Sequence, residues 1–277
     1  MISIVIPVLN EAENIGKLLS HLIANSSLEN SLEIIVVDGG SSDGTVAIVK
    51  RFLSPRPDNY REQSRGSVEV STALDQTFEI DSKKDKLSIK SSSTPLRAQD
   101  NFKILLFNSP KGRAKQMNLG AKQATGNILY FLHADSFPPK NFDQLIIDEA
   151  EKGNLAGCFK MKFDNSHWWL RLASWLTHFS WRACRGGDQS QFITKDLFNE
   201  IGGFDESYVI YEDNILINEL FKRKQFVVIQ EWIITSARLY ERKGIWTLQY
   251  HFWTIYIKRW FGASADEIHS YYKKYIA

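Results

Sequence analysis

Glu33-Ile34-Ile35-Val36-Val37-Asp38-Gly39-Gly40-Ser41-Ser42-Asp43-Gly44-Thr45 is the stretch from which the fold can be read. Its first half is an apolar, β-branched run over Glu33–Val37, and its second half is polar and glycine-rich. From Thr45 to Phe52 the apolar spacing becomes helical. The segment before it repeats the pattern. Ser3–Pro7 is a β-rich run ended by a proline, and Glu11–Ala24 puts Ile15, Leu18, Leu19, Leu22 and Ile23 on one helical stripe, with Asn10 as the expected N-cap. Strand, helix, strand and helix in that order predict a parallel sheet with right-handed crossovers.

Working outward, the rhythm stops at residues 54–100, which are rich in Ser, Lys, Asp and Arg and contain three prolines. Weak alternation at Val68/Val70, Phe78/Ile80 and Leu87/Ile89 makes this a polar surface insertion, either a loose hairpin or disordered. The alternation resumes with a strand at Lys103–Phe107, a helix at Gly112–Thr125, a strand at Asn127–Leu132, a helix at Phe142–Glu151 and a strand at Ala156–Phe163. Then the character changes. Trp168–Arg185 reads as one aromatic helix, Asp213–Lys224 as another helix, Phe226–Ile229 as a short strand, and the C-terminal end as two aromatic helices. The expected organisation is one α/β domain over 1–242, a mostly parallel central sheet flanked by helices, with aromatic helices of 243–277 packed on it.

Composition narrows the class. The chain has 277 residues, 43% of them apolar and 24% charged, with a net charge of +2, so no overall field calls for nucleic acid. Its two cysteines, Cys158 and Cys184, fit no CxxC or Cys/His metal spacing and read as buried thiols of a reducing compartment. The start, MISIVIPVLNEAEN, reads as a buried strand rather than a secretory leader. No apolar run approaches the roughly 18 residues of a transmembrane helix. The expectation is a cytoplasmic protein, at most resting on the cytoplasmic face of a membrane.

In an open parallel sheet, ligands bind beyond the carboxyl ends of the strands. Polar residues follow a predicted strand at Pro7–Glu11, Asp38–Asp43, Pro110–Arg113 and His133–Ser136. Asp38 could accept hydrogen bonds from a base or from ribose hydroxyls, and the glycines after it, Gly40 among them, let backbone approach a ligand closely. Ser42 and Asp43 read as caps of the next helix. Asp135 offers a hard carboxylate oxygen suited to Mg²⁺ or Mn²⁺ shared with a diphosphate, or else a cap for the turn into Phe137-Pro138-Pro139. Arg113 sits in a first helical turn, where a cation is locally unfavourable, so a phosphate or a carboxylate partner is expected. Glu212 and Asp213 open a helix; they either satisfy its free N–H groups or serve as a general base. No HExxH, GxxxxGK[ST] or GxSxG occurs, which argues against those zinc, P-loop and serine-hydrolase sites.

Together these segments resemble the family-2 inverting glycosyltransferases of GT-A fold. The resemblance rests on Ile4–Glu11, Val36–Thr45, Gly112-Arg113 through Asn118–Ala121, Leu132–Asp135, Gly202–Glu206 and Glu212-Asp213, in family order. It implies that Pro7, Asn10, Glu11 and Asp38 hold the nucleoside of a nucleotide-diphosphate sugar and that Arg113 lies near its phosphates or base. Asp135 would be the metal-binding carboxylate of the DxD motif, with Mn²⁺ or Mg²⁺ as cofactor, and Asp213 the catalytic base, with Glu212 as runner-up. His133 departs from the pattern, standing where the motif's first Asp belongs; it could still bond a ribose hydroxyl. His-Ala-Asp with Gly186-Gly187-Asp188-Gln189 looks closest to a subgroup linked to arsenosugar or carotenoid glycosylation, and it puts Gly187, Asp188 and Gln189 on the acceptor side.

The implied reaction is a single displacement onto an acceptor hydroxyl, either of a small molecule or of a lipid or carotenoid. Trp168, Trp169, Trp175 and Trp181 could stack on that acceptor, lie on a membrane beside Arg171, Arg182 and Arg185, or simply pack. The rival readings are a sugar-phosphate nucleotidyltransferase, which would want a basic Gly-rich loop after the first strand, and a non-catalytic nucleotide-sugar-binding protein.

Overall fold

The computed structural model describes residues 1–27, 29–53, 76–80, 87–91, 102–186 and 189–277, with backbone alone for 76–80 and 87–91. The N-terminal elements follow the sequence closely: β1 (Ile2–Val8), α1 (Ala12–Asn25), β2 (Leu32–Asp38) and α2 (Thr45–Leu53). Within the insertion, β3 (Gln76–Ile80) and β4 (Leu87–Ser91) form an antiparallel pair whose register sets Phe78 opposite Ile89 and Ile80 opposite Leu87. Val68 and Val70 lie outside the described residues. The chain then runs through β5 (Phe102–Asn108), α3 (Arg113–Gln123), β6 (Ile128–Phe131), β7 (Ser136–Phe137), α4 (Phe142–Glu151) and β8 (Ala156–Phe163).

The second half departs from expectation in four places. The aromatic helix α5 ends at Leu176 (Trp168–Leu176), and Arg182–Cys184 is a separate 3₁₀ turn. Ser174 and Thr177 send their hydroxyls back to Leu170 O, Ser174 O and Met161 O, which competes with the helical ladder where it stops. β9 (Gln191–Thr194) and α6 (Lys195–Ile201) were not predicted; both are short and lack a full period. α7 spans Glu212–Lys222, and the strand after it, β10 (Val227–Thr235), runs six residues beyond the expected end. A register irregularity between Ile229 and Trp232 hides that continuation, because Gln230 and Glu231 interrupt the apolar pattern. The C-terminal end holds three helices among the described residues, α8 (Arg238–Lys243), α9 (Ile245–Trp260) and α10 (Ala265–Tyr275).

The main sheet has the order β5-β2-β1-β6-β9-β8-β10-β7. Its first four strands are mutually parallel, β9 runs antiparallel to both neighbours, β10 is parallel to β8, and β7 antiparallel to β10. Strand periodicity splits the core in two. Ile2, Ile4, Ile6 and Val8 of β1 join the cluster formed with α1 and α4, whereas Val5 of β1 joins Ile35 and Val37 of β2 against α3, α6 and α7. Gly120 lets α3 lie this close: a Cβ there would stand 2.3 Å from Val5 Cγ1. A third, smaller cluster of Leu248, Ile255, Ile268 and Ile276 holds α9 to α10.

Glu33, buried at the start of β2, ties three elements together. Its carboxylate accepts from Ser3 Oγ at 2.6 Å, Thr125 N at 2.8 Å, Thr125 Oγ1 at 3.1 Å and Lys103 Nζ at 3.0 Å. Burial alone would raise its pKa, but the bonds from Ser3, Thr125 and Lys103 outweigh it and hold the carboxyl below its ordinary value of 4.5. A depressed folded-state pKa means that this stabilisation is present above the unfolded value and is lost as pH falls through the folded one. Glu33→Gln should therefore destabilise the protein by about 1–3 kcal/mol at neutral pH. The Tm gap to the parent should shrink as the pH is lowered below 4.5; a gap that stays constant with pH would contradict this account.

Candidate active site

Three parallel strands place their ends side by side: Val8 pairs with Asp38, and Asp38 with Asn108. The loops beyond β1 and β2 are laced across each other. Asn10 adopts a left-handed conformation (φ 56°), its N–H donates to Ser41 Oγ at 2.9 Å, and its Oδ1 accepts from Ser42 N at 2.9 Å. Glu11 N donates to Thr45 Oγ1, and Ala12 N to Asp43 Oδ2. Asn10 is thus not the N-cap of α1. That position belongs to Glu11, without a side-chain cap, because the amide of Asn10 is committed to the neighbouring loop. Asp43 does anchor the start of α2, accepting from Thr45 N at 2.9 Å. The side-chain bond from Thr45 outweighs desolvation and, with the N–H groups of Thr45 and Ala12, holds its pKa below the ordinary range.

Asp38 is buried, and its carboxylate accepts from the N–H groups of Gly40 and Ser41, each at 3.0 Å. Gly40, at φ 94°, supplies the left-handed turn that makes this possible. A carboxylate has about four acceptor positions, so these two bonds leave room for donors on a ligand. Pro7 lies half-buried in β1 opposite Val37. From α3, Gln116 Nε2 donates to Val8 O and to Val37 O, both at 2.8 Å, and so fixes the separation of the two strand ends.

β6 carries the chain to His133 and Asp135, and the short β7 then pairs with the end of β10, Phe137 opposite Ile234 and Ser136 opposite Thr235. Ser236 N donates to Asp135 O at 3.2 Å. This pairing delivers Arg238, which sequence reasoning missed. Arg238 Nη2 lies 2.5 Å from Glu11 Oε1 and 3.3 Å from Asp135 Oδ2, bridging two carboxylates expected in the donor site. Burial by itself would lower its pKa, but the bond to Glu11 and the charges of Glu11, Asp135 and Glu13 outweigh it and raise it. With the strand expected to stop at Ile229, nothing in the sequence pattern carried the chain toward Arg238. The continuing apolar run Trp232-Ile233-Ile234 was the signal that it sits at a strand end.

On the other side of the sheet, Arg113 opens α3 just beyond β5. Its Nη1 stands 3.3 Å from Glu212 Oε1 and 3.6 Å from Asp213 Oδ2. The carboxylate partner expected for it is found. Glu212 is fully buried and Asp213 nearly so, at the N-terminus of α7, where anions are favoured. The turn before α7 is fixed by Tyr211 in a left-handed conformation (φ 74°), and Asn118 of α3 bonds both Phe204 N and Phe204 O at 2.9 Å in the preceding loop.

Gly187 and Asp188 lie outside the described residues. Gln189 is buried, its Nε2 donating to Cys184 O at 2.7 Å and its Oε1 accepting from Cys158 Sγ at 3.4 Å. Burial pushes the Cys158 thiol pKa up against the opposing charge of Arg185. Cys184, by contrast, is half-buried.

Residues able to hold a divalent cation converge on Arg238. Among the described residues no group of three or more His, Cys, Asp or Glu side chains could hold an ion unaided. A Mg²⁺ or Mn²⁺ that travels with a diphosphate needs one or two carboxylates, the remaining ligands being phosphate and water. Asp135 and Glu11 meet that requirement, and the guanidinium between them is a stand-in cation. The donor set therefore fits such an ion.

Comparison with known proteins bears on the family and the fold. The family profile described as Glycosyl transferase family 2 matches residues 3–79 and 88–205. The chain is similar to Glycosyltransferase AglE of Haloferax volcanii, 28% identical over 137 residues, which is 50% of this chain and 31% of that relative's length. Among solved structures it resembles the mannosyltransferase PcManGT of Pyrobaculum calidifontis, determined with GDP-Man and Mn²⁺, at a TM-score of 0.56 and 17% identity over 92% of this chain and 59% of that one. It also resembles S. aureus TarS 1–349 in complex with UDP-GlcNAc, at a TM-score of 0.54 and 17% identity over 85% of this chain and 58% of that one. At these identities the likeness establishes the fold, a GT-A-like mostly parallel sheet flanked by helices. The profile match stops before Glu212, Asp213 and Arg238, whose placement comes from the structure.

Arg113 and Glu212 should be energetically coupled. Arg113→Met removes a cation 3.3 Å from a buried carboxylate and should lower stability by about 1–3 kcal/mol, less than for a wholly buried pair because the arginine is half-exposed. Glu212→Gln in the same background should recover much of that loss in a double-mutant cycle read by urea unfolding. Strictly additive effects would show that the two do not interact.

Proposed function

The chain belongs to glycosyl transferase family 2, and from that premise we propose that it moves a sugar from a nucleotide-diphosphate donor to an acceptor hydroxyl with inversion. The observation that carries the reading is that Asp38, the pair Glu11 and Asp135 and, through Arg113, the pair Glu212 and Asp213 stand beyond the ends of the adjacent strands β5, β2, β1 and β6. Two arginines, each bridging two of these carboxylates, mark where anionic phosphate can compete.

Asp38, Gly40 and the loop of Pro7, Asn10 and Glu11 receive the nucleoside. The Asp38 acceptor positions left by Gly40 and Ser41 take N–H or O–H donors of base or ribose. Asp213 takes the proton of the acceptor hydroxyl as its oxygen bonds to the anomeric carbon. The bond from that carbon to the diphosphate oxygen breaks, and the nucleoside diphosphate leaves with the electron pair. Glu212, more deeply buried, serves as the partner that holds Arg113, and Arg113 orients Asp213. Asp135, flanked by Glu11 and His133, would hold Mn²⁺ or Mg²⁺, which when bound supplies electrostatic stabilisation of the leaving diphosphate. Arg238 neutralises Glu11 and Asp135 before the donor arrives and is free to turn to its phosphates afterwards. Gly187, Asp188 and Gln189 belong to the acceptor side, with a small-molecule, lipid or carotenoid hydroxyl as acceptor.

Asp213→Asn should leave nucleotide-sugar binding intact, as read by thermal shift, while lowering transfer or slow donor hydrolysis about 10²–10⁴-fold. Unchanged turnover would remove Asp213 from the reaction. The absence of any turnover in the parent protein with each nucleotide sugar and Mn²⁺ would favour a non-catalytic binder.

Arg238 supplies a second test. With its guanidinium gone, Glu11 and Asp135 lose the cation that links them. Mn²⁺ without nucleotide should then raise the Tm of Arg238→Met by more than it raises that of the parent. Equal responses would mean that Arg238 and the metal do not share a place.

A further inference from the structure

α9 breaks the ordinary rule for a surface helix. Its inner face, Leu248 and Ile255, is buried against Ile268 and Ile276. Its outer face is also apolar: Trp246, Tyr250, Trp253, Ile257 and Trp260 are all exposed, Tyr250 by 62% and Trp260 by 85%. At 3.6 residues per turn these five fall within a sector of about 80°. A helix covered by water on that side should carry polar residues there. α5 repeats the pattern with Trp168, Leu172 and Trp175 exposed at i, i+4 and i+7 over a buried Leu170. The two stripes join, the rings of Trp168 and Trp246 lying 5.8 Å apart and Trp169 bonding Gln249 Oε1 through its Nε1. Trp175, Phe179 and Trp181 extend the first stripe by contacts of 5.1 and 4.7 Å.

Charge identifies what covers this surface. Neither Trp168–Arg185 nor Arg242–Phe261 contains an Asp or Glu. Arg171, Arg242 and Lys258 are exposed along them, whereas Arg185 is buried with its guanidinium on Thr177 O, Phe179 O and Cys158 Sγ, and Arg182 is held by Asn214 and Asn218. A second copy of the chain would bring this cationic rim against itself across a two-fold axis. Tryptophan and tyrosine flanked by basic side chains instead match the headgroup layer of a bilayer. No helix among the described residues is long and apolar enough to cross a membrane, so the fit is to a surface.

We infer that the joined aromatic stripes of α5 and α9 seat this protein on the surface of an anionic lipid bilayer and that its acceptor is a lipid-borne hydroxyl. The second clause rests on the glycosyltransferase reading. Tyr256 of α9 packs on Tyr211 at 5.4 Å, and Tyr211 is the residue immediately before Glu212 and Asp213. The helix bearing the stripe thus abuts the proposed base, and a hydroxyl held at the headgroup level can reach it without leaving the bilayer.

The membrane clause is tested without turnover. The parent protein should cosediment with phosphatidylcholine vesicles containing phosphatidylglycerol, more weakly as salt rises, and with a blue shift in tryptophan emission. A variant carrying Tyr250→Ser, Ile257→Ser and Trp260→Ser, all solvent-facing, should keep its circular dichroism and Tm yet partition about ten-fold or more weakly. Parent protein that stays in the supernatant overturns the proposal. So does a parent dimer in light scattering that the triple variant dissolves, for then a second copy covers the patch. Membrane binding with no transfer to any lipid hydroxyl would overturn the acceptor clause alone, and loss of donor turnover altogether would fall on the catalytic reading.

Discussion

The buried amide of Gln116 reaches from α3 to Val8 O, the last carbonyl of β1, and to Val37 O, one residue before the end of β2. Parallel strands that end together must separate to release their loops, and the carbonyls left behind need donors. One side chain satisfies both. With that spacing fixed, Gly39 N closes onto Val8 O, and the two loops interlock through Asn10, Ser41, Ser42 and Thr45. α3, which supplies the amide, is itself held against the sheet by the absence of a side chain at Gly120. The loops beyond β1 and β2 therefore take their shape from the core beneath them.

Electrostatics then divides the sheet edge into two halves. Arg238 draws Glu11 and Asp135 together, and Arg113 draws Glu212 and Asp213 together. In each half an arginine from one structural unit answers acids from another, which offsets the repulsion between like charges. Such an arrangement suits a ligand that carries its own negative charge, because phosphate can exchange for carboxylate around a guanidinium with little change in net charge.

The C-terminal helices do two jobs with one composition. Their inward aromatics close the third core cluster, Tyr256 at its border reaches Tyr211, and the outward ones face away from the protein. The same tyrosine and tryptophan chemistry serves both sides because an aromatic ring tolerates burial against other rings and contact with a wet apolar boundary.

The strand-and-loop segments of the first half were legible from the sequence because their signals are local. Apolar runs, glycine turns and helical spacing act within a few residues, so Asp38, Asp135 and Arg113 there, and the pair Glu212-Asp213 later in the chain, could be assigned to element ends from the local pattern. Three things were not legible. Asn10 reads as a helix cap by residue type, but its amide serves a loop 32 residues away. Arg238 meets Glu11 across 227 residues, a pairing set by strand order and by the irregular β10 that conceals its own end. The outer faces of α5 and α9 are as apolar as their inner faces, and periodicity cannot choose between two apolar faces. The sequence by itself determined which groups the chain brings to its sheet edge. Which charges meet there, and which aromatics stay outside, only the tertiary structure decided, because both depend on distances between residues far apart in the chain.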